Sequence, residues 1–357
     1  MADNRKAELG GENLRRSGQI YIAEDILPEY VAVNKRVPLT VCGLNAANRK
    51  AVAEKLSALY GGEERAEALY CGKELGIYEL CALPEECDAV RIDGVALTER
   101  KRFDFSDLQE IMGRLRGEGG CEWDRAQTHE SIRINLIEEA YELVDAIDRA
   151  DREGMLEESG DVLMQAVFHA QIARDEGDFG YGDMLTALCR KLLDRHTHIF
   201  GANHADNAEQ ALDFWNEAKK KEKKYSSNTD AMDRVPKNLP ALLYAEKIQK
   251  IAKKCGFDWG DAAPAAEKVK EELAEFMSAD NAHLAEEGGD LLFAAVNVLR
   301  LRKVETETAL REASAKFFRR FAAVESRVKE SGKEMNELSL DELDKIWDEV
   351  KLTEKQV

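Results

Sequence analysis

The spacing of apolar residues changes character near residue 100. Before it, short β-branched and aromatic runs at 19–23, 37–42 and 75–81 predict strands, and a helical period at 46–60 lies between them. From Phe105 onward the two-residue period nearly vanishes. A helical period predicts helices over 106–116, 131–149, 155–176, 182–195 and 207–224, then over 241–254, 264–277, 282–302, 305–331 and 341–351. Thr128 and Ser131 are candidate caps, and Gly177 is a plausible stop. The polar stretch from Ser226 to Arg234, followed by Pro236 and Pro240, reads as a linker. The pattern therefore predicts a mainly α chain. A loose N-terminus (1–18) and a small α/β segment (19–100) precede an all-α helical unit (101–225), a linker (226–235) and a second all-α unit (236–357).

The two helical units resemble one another. Glu138-Glu139-x-x-Glu142 and Glu158-x-x-Asp161 in the first recur as Glu271-Glu272-x-x-Glu275 and Glu287-x-x-Asp290 in the second. Cys121-x-x-Asp124 and Cys255-x-x-Asp258 precede them. Lys191-x-x-x-Arg195 and Lys316-x-x-x-Arg320 follow. Each copy ends on a tryptophan, a glutamate and a lysine: Trp215, Glu217 and Lys219, then Trp347, Glu349 and Lys351. The pairs Glu222-Lys223 and Glu354-Lys355 come next. One order of acid pair, acid pair, basic pair and Trp-Lys, met twice, implies duplication of one helical unit.

Acidic residues three apart share one helix face, so each pair can reach one cation. Two facing helices would offer Glu139, Glu142, Glu158 and Asp161 to a hard ion such as Mg2+, with Glu138 orienting a ligand. The equivalent set is Glu272, Glu275, Glu287 and Asp290, with Glu271 in the supporting place. Alone, such an acidic motif is more often a solvated face. The apolar stripe of the first acidic helix is Ile137, Ala140, Tyr141, Val144 and Ile147, and that of the second is Leu163, Ala166, Val167 and Ala170, both opposite the acids. Leu143 and Ile172 interleave with the acids, however, which suggests burial on two sides. Close carboxylates repel unless a cation neutralises them. Lys191 and Arg195, one turn apart, suit phosphate oxygens. Trp215 could stack on a base or belong to the core.

Composition narrows the classes. A net charge of −19 argues against a nucleic-acid or anionic-membrane binder. No apolar run is long enough to span a bilayer, and the opening MADNRKAELGGENLRR has no apolar core, so no leader is expected. Seven cysteines without tight pairs read as free thiols in a reducing cytoplasm, with Cys121 and Cys255 as buried structural thiols. His129, His169, His196 and His198 lack companion ligands at zinc spacing. There is no phosphate-binding glycine loop.

The run from Gly120 to Ser131 (GCEWDRAQTHES), with Leu136 to Glu142 (LIEEAYE), Glu158-Ser-Gly-Asp161 and the stretch from Arg195 to Gly201 (RHTHIFG), resembles the MazG nucleotide pyrophosphohydrolases. Residues 236–355 resemble the second domain of that family. The resemblance implies a helical bundle shared by two subunits around Mg2+ (Mn2+ as a substitute) and hydrolysis of nucleoside triphosphates to monophosphate and pyrophosphate. It implies Mg2+ ligation by Glu139, Glu142, Glu158 and Asp161, phosphate contacts from Lys191 and Arg195, and a nucleotide pocket lined by Trp215 and Lys219. The matching second set is Glu272, Glu275, Glu287, Asp290, Lys316, Arg320, Trp347 and Lys351. Catalysis would fall to Glu139, Glu142, Lys191 and Arg195, with Glu139 or Glu142 taking the proton of the attacking water. The family usually has proline at Glu122 and Thr197, and Gly288-Gly289 interrupts the second ExxD. The segment with Ile77-Tyr-Glu-Leu80 and Arg102-Phe-Asp-Phe105 resembles the end of a tetrapyrrole methylase domain, of which only the second lobe would be present, without activity. The expected enzyme is a cytoplasmic, homodimeric nucleotide-pool hydrolase. Hydrolysis of another pyrophosphate metabolite, a non-catalytic nucleotide-binding module and a helical scaffold stay open.

Overall fold

The computed structural model describes residues 18–28, 31, 33–61, 64–222 and 225–354. Residues 1–17, most of the stretch expected to be loose, lie outside these, as do Lys223 and Lys355 of the repeated Glu-Lys pairs. The chain divides into two compact units, one up to His196 and one from Thr197 on.

The first unit opens on a five-stranded sheet. β1 (Gln19–Ile22) leads through a short helix α1 (Ala23–Ile26) to β2 (Leu39–Cys42), to which it pairs in parallel. Helix α2 (Arg49–Tyr60) follows, then β3 (Arg65–Tyr70), β4 (Lys73–Glu79) and β5 (Ala89–Ile92), giving the order β1-β2-β5-β3-β4. The three predicted strands and the helix are present, but β3 and β5 were not foreseen. β3 and β4 are joined by Cys71-Gly72, both at positive φ (47° and 76°). That is the two-residue hairpin geometry whose twist matches the strands. Ile26, Leu39, Val41, Val52, Leu56 and Val90 form the core here.

Helices then take over. α3 (Phe105–Arg116) starts at Asp104, whose carboxylate accepts from the Ser106 and Asp107 amides in a capping box. A buried charge network ties α3 to the sheet unit. Lys35 Nζ reaches Asp104 at 2.9 Å and Asp107 at 3.1 Å, and Arg100 pairs with Asp107. After α4 (Glu122–Ala126), Thr128 and Ser131 cap α5 (His129–Asp148) reciprocally. Ala150, at φ 53°, ends that helix, and Asp151 caps α6 (Arg152–Asp175). α5 and α6 pack as a hairpin, and α7 (Tyr181–Arg195) closes the unit.

The second unit holds α8 (Thr197–Phe200), α9 (Ala208–Glu222) and α10 (Asn228–Asp233). α10 lies where a linker was expected: Ser227 accepts from the Asp230 amide and nucleates a turn and a half of helix. α11 (Ala241–Lys254), α12 (Ala262–Ser278), α13 (Leu284–Leu301), α14 (Thr306–Glu330) and α15 (Leu340–Glu354) follow. α12 and α13 form the counterpart of the α5–α6 hairpin. At Gly288 a Cβ would make only an ordinary contact with the Phe276 ring, at 3.4 Å. Val324, Val328 and Val350 form a small core between α14 and α15.

The predicted stripe on α5 is corrected. Ile137, Tyr141 and Ile147 are 46–54 % exposed, while Ile132 and Ala146 are buried. Glu139, half-buried, shares a hydrogen bond with Gln165 on α6. α5 therefore turns its acidic face, not its richest apolar stripe, toward its hairpin partner. On α6 the prediction holds in part, since Val167 and Ala170 are buried while Leu163 and Ala166 are exposed.

Candidate active site

Two helix hairpins each gather three carboxylates. Glu139 on α5 faces Glu158 and Asp161 on α6, with one oxygen from each within 4.8 Å of the others. Glu272 on α12 faces Glu287 and Asp290 on α13 in the same way. The i,i+3 spacing on the second helix of each pair supplies two ligands, and the facing helix supplies the third. Glu142 and Glu275 stand outside these triads, although Glu142 is close enough to disfavour the charge on Glu158.

Burial and neighbouring carboxylates oppose full ionisation in both triads. Burial raises the Glu139 carboxyl above its ordinary value, and Asp161 and Glu142 add repulsion. Glu158 is raised by desolvation and by Glu142, and Glu287 by desolvation, Glu275 and Asp290. Clustered anionic oxygens held by packing are the donor set of a hard divalent ion.

The second triad has a resident ammonium as well. Lys268, one turn before Glu272, reaches Glu272 at 2.6 Å and Glu271 at 2.9 Å, and both partners raise its pKa. Glu271 thus touches the triad through Lys268. Glu138 is exposed. Lys268, Glu272 and Asp290 also line a cavity of about 670 Å3, whose other walls include Ile248, Phe257, Trp259 and Phe293.

Of the predicted basic and aromatic residues, Arg195 is buried at the end of α7 and Lys191 is exposed on it. Trp215 and Lys219 are on α9 in the second unit. Arg320 and Trp347 do come together: the guanidinium lies 5.9 Å from the ring centre and is bound to Glu354 at 2.7 Å. Lys316 is exposed, and Lys351 pairs with Asp348 at 2.9 Å. None of these four lines the cavity. Cys255 is exposed and Cys121 half-buried, so neither is the buried structural thiol expected.

A family model for the MazG nucleotide pyrophosphohydrolase domain matches residues 127–200. The chain is 45 % identical over 248 residues to the nucleoside triphosphate pyrophosphohydrolase/pyrophosphatase MazG of Thermotoga maritima, covering 69 % of this chain and 95 % of that one. It is 42 % identical over 254 residues to the nucleoside triphosphate pyrophosphohydrolase of Escherichia coli K12, covering 69 % and 97 %. The chain belongs to the MazG family. A further relative, the uncharacterized protein YabN of Bacillus subtilis, is 45 % identical over 258 residues, which span 71 % of this chain but 53 % of that one. The MazG domain match covers α5, α6 and α7, and so contains Glu139, Glu158 and Asp161.

Sequence reasoning missed Lys268, Gln249, Asn297 and Arg300. Lys268 carried a signal, since it lies one helical turn from Glu272 and so on the same face. Asp258 was visible only as a repeated position; its partner Arg300 Nη2, at 2.6 Å, comes from α13. His129 and His169 also meet, with Nδ1 atoms 2.7 Å apart and rings stacked at 5.0 Å, although they are far apart in the chain.

Proposed function

We propose that the chain hydrolyses ribo- and deoxyribonucleoside triphosphates to the monophosphate and pyrophosphate, with Mg2+ at the carboxylate triads. The observation that carries this reading is the cavity beside the second triad. Glu272 and Asp290, which suit a cation, share its walls with aromatic and apolar side chains that suit an organic group. The Thermotoga and Escherichia relatives, nucleoside triphosphate pyrophosphohydrolases, supply the bond that is cut.

The donor set fits a hard divalent ion, since each triad is all oxygen and its charge is internally opposed. When bound, Mg2+ (or Mn2+) would neutralise triphosphate oxygens and acidify a water. Glu139, Glu158 and Asp161, with Glu142 close by, would hold the first ion; Glu272, Glu287 and Asp290, with Glu275, would hold the second. Water attacks the α-phosphorus, the bond to the oxygen bridging the α- and β-phosphates breaks with pyrophosphate leaving, and Glu139 or Glu142 takes the proton of the attacking water. Lys191 and Arg195, and in the second repeat Lys316 and Arg320, contact phosphate. Trp215 and Lys219, and in the second repeat Trp347 and Lys351, would contact the nucleotide outside the cavity, whose walls Trp347 and Lys351 do not line, and Glu138 and Glu271 would steady the ligands. The repeats act as two MazG domains, 101–225 and 236–357, behind an N-terminal remnant of a tetrapyrrole methylase lobe. A second copy of the chain covers the exposed Ile137–Tyr141–Ile147 stripe. The enzyme would serve nucleotide-pool cleaning in the cytoplasm. Among the described residues, no helix is long and apolar enough to cross a membrane.

The test is Mg2+-dependent release of pyrophosphate from the eight common NTPs and dNTPs, with the co-product identified. Monophosphate plus pyrophosphate is expected; diphosphate plus inorganic phosphate would overturn the bond assignment.

A further inference from the structure

The cavity beside the second triad contains two buried hydrogen-bond acceptors without a protein partner. Gln249 on α11 is only 6 % exposed. Its amide nitrogen donates to the Phe293 carbonyl at 2.9 Å, which fixes the orientation of the group, and its Oε1 is buried with nothing donating to it. The Asp258 side chain is 9 % exposed. Its Oδ1 takes the Arg300 guanidinium at 2.6 Å, while its Oδ2 is buried and accepts no hydrogen bond. Arg300 is also engaged by Asn297, so it is held in place on Asp258. Both Gln249 and Asp258 line the cavity.

Buried polar atoms are nearly always satisfied, and an unsatisfied one that lines a cavity points to a missing partner. Here both atoms accept, so the partner must donate. Beside the charged groups of the triad end, Ile248, Phe257, Trp259 and Phe293 give the cavity a largely apolar wall, which suits a donor carried on a flat, largely apolar body. Arg300 holds the Asp258 carboxyl below its ordinary value, so the acceptor is an anion and repels any carbonyl oxygen set against it. Cytosine, adenine and guanine bring an exocyclic amino group to such a surface. Each of these bases carries at least two N–H donors for the two acceptors, whereas uracil, thymine and hypoxanthine carry a single ring N–H beside carbonyl oxygen and would leave one acceptor unmet or facing an oxygen.

From this we infer that Gln249 and Asp258 select the substrate by its base, favouring nucleotides with an exocyclic amino group. The inference rests on the nucleotide reading above and adds the class of base. It concerns the second repeat alone. In the first repeat Gln171 lies as far beyond Asp161 as Arg300 lies beyond Asp290, and it is satisfied internally by Asp175 at 2.6 Å and by Tyr181 at 2.7 Å.

The experiment compares pairs that differ by one amino group, CTP with UTP and GTP with ITP, on the full chain carrying Glu158→Gln so that the second repeat reports. Turnover is measured as kcat/KM with Mg2+, and binding by calorimetry with Ca2+ in its place. The amino member of each pair should be favoured about tenfold or more, the size of one hydrogen bond to a charged acceptor. Gln249→Leu and Asp258→Asn, each made separately, should draw the ratios toward one. Equal values within both pairs would overturn the inference, as would ratios unchanged in both variants with helicity retained. If no nucleotide is hydrolysed, the hydrolytic reading fails and calorimetry decides base selection alone: a preference abolished by the variants supports it, while equal or absent binding overturns it.

Discussion

Replacing Asp107 with alanine should destabilise the first unit by about 3 kcal/mol, the low end of the range for breaking a buried ion pair. Asp107 is 3 % exposed, and it faces two buried cations, Lys35 (4 %) and Arg100 (9 %). Its Oδ2 also accepts from the Asp104 amide at 2.8 Å, so the substitution removes part of the α3 capping box. Lys35 keeps Asp104 at 2.9 Å and the Arg102 carbonyl at 3.2 Å, and Arg100 keeps the Val95 carbonyl at 3.1 Å. Those remaining partners are why the low end applies. In a domain of this size, about 3 kcal/mol corresponds to a fall in Tm of roughly 6–12 °C. Thermal unfolding followed by far-UV circular dichroism would read it. Glu54→Ala is the control, since its pair with Lys50 is exposed on both sides at 3.8 Å and should contribute almost nothing. A fall no larger for Asp107→Ala than for Glu54→Ala would refute the view that this network fastens α3 to the sheet.

Other outcomes follow from single sites. Ala150→Gly should raise stability by about 1 kcal/mol in urea unfolding, because Ala150 is held at φ 53° where a Cβ is disfavoured. Acid should weaken the first unit through His169, whose pKa is lowered by burial and by His129. The unfolded chain then binds the proton more readily, so stability drops as pH falls below the ordinary imidazole value of 6.5. His169→Gln should flatten that part of a Tm-against-pH curve. Lys268→Met should lower the Tm of the metal-free protein and enlarge the stabilisation given by Mg2+, because Glu271 and Glu272 lose their ammonium. An unchanged Mg2+ increment would show that Lys268 does not balance the triad.

The helices were legible because their signals are local. Thr128 and Ser131 mark the start of α5 in the sequence, and the structure shows them as a reciprocal cap. β3 and β5 were not legible. Arg65–Tyr70 carries two charges and β5 is four residues long, and both are fixed by register with strands distant in the chain. The stripe on α5 misled for a different reason. That helix is apolar on more than one face, and periodicity cannot say which face the chain covers itself. The acid motifs were legible because i,i+3 spacing is local, and both triads contain residues named from that spacing. The cavity was not, since its walls come from α10, α11, α12, α13 and the turn at 256–259, and only folding brings Gln249 and Asp258 to one cavity with Glu272.

The most direct measurement is pyrophosphate release from the preferred nucleotide with Mg2+, made on the unaltered chain, on Glu158→Gln, on Glu287→Gln and on the double variant. The account predicts that the double variant loses at least about a hundredfold in kcat/KM with its helicity unchanged, since each triad then lacks a metal ligand. Each single variant should remove the share of its own repeat. A double variant that is folded and as active as the unaltered chain would contradict the placement of hydrolysis at the two carboxylate triads.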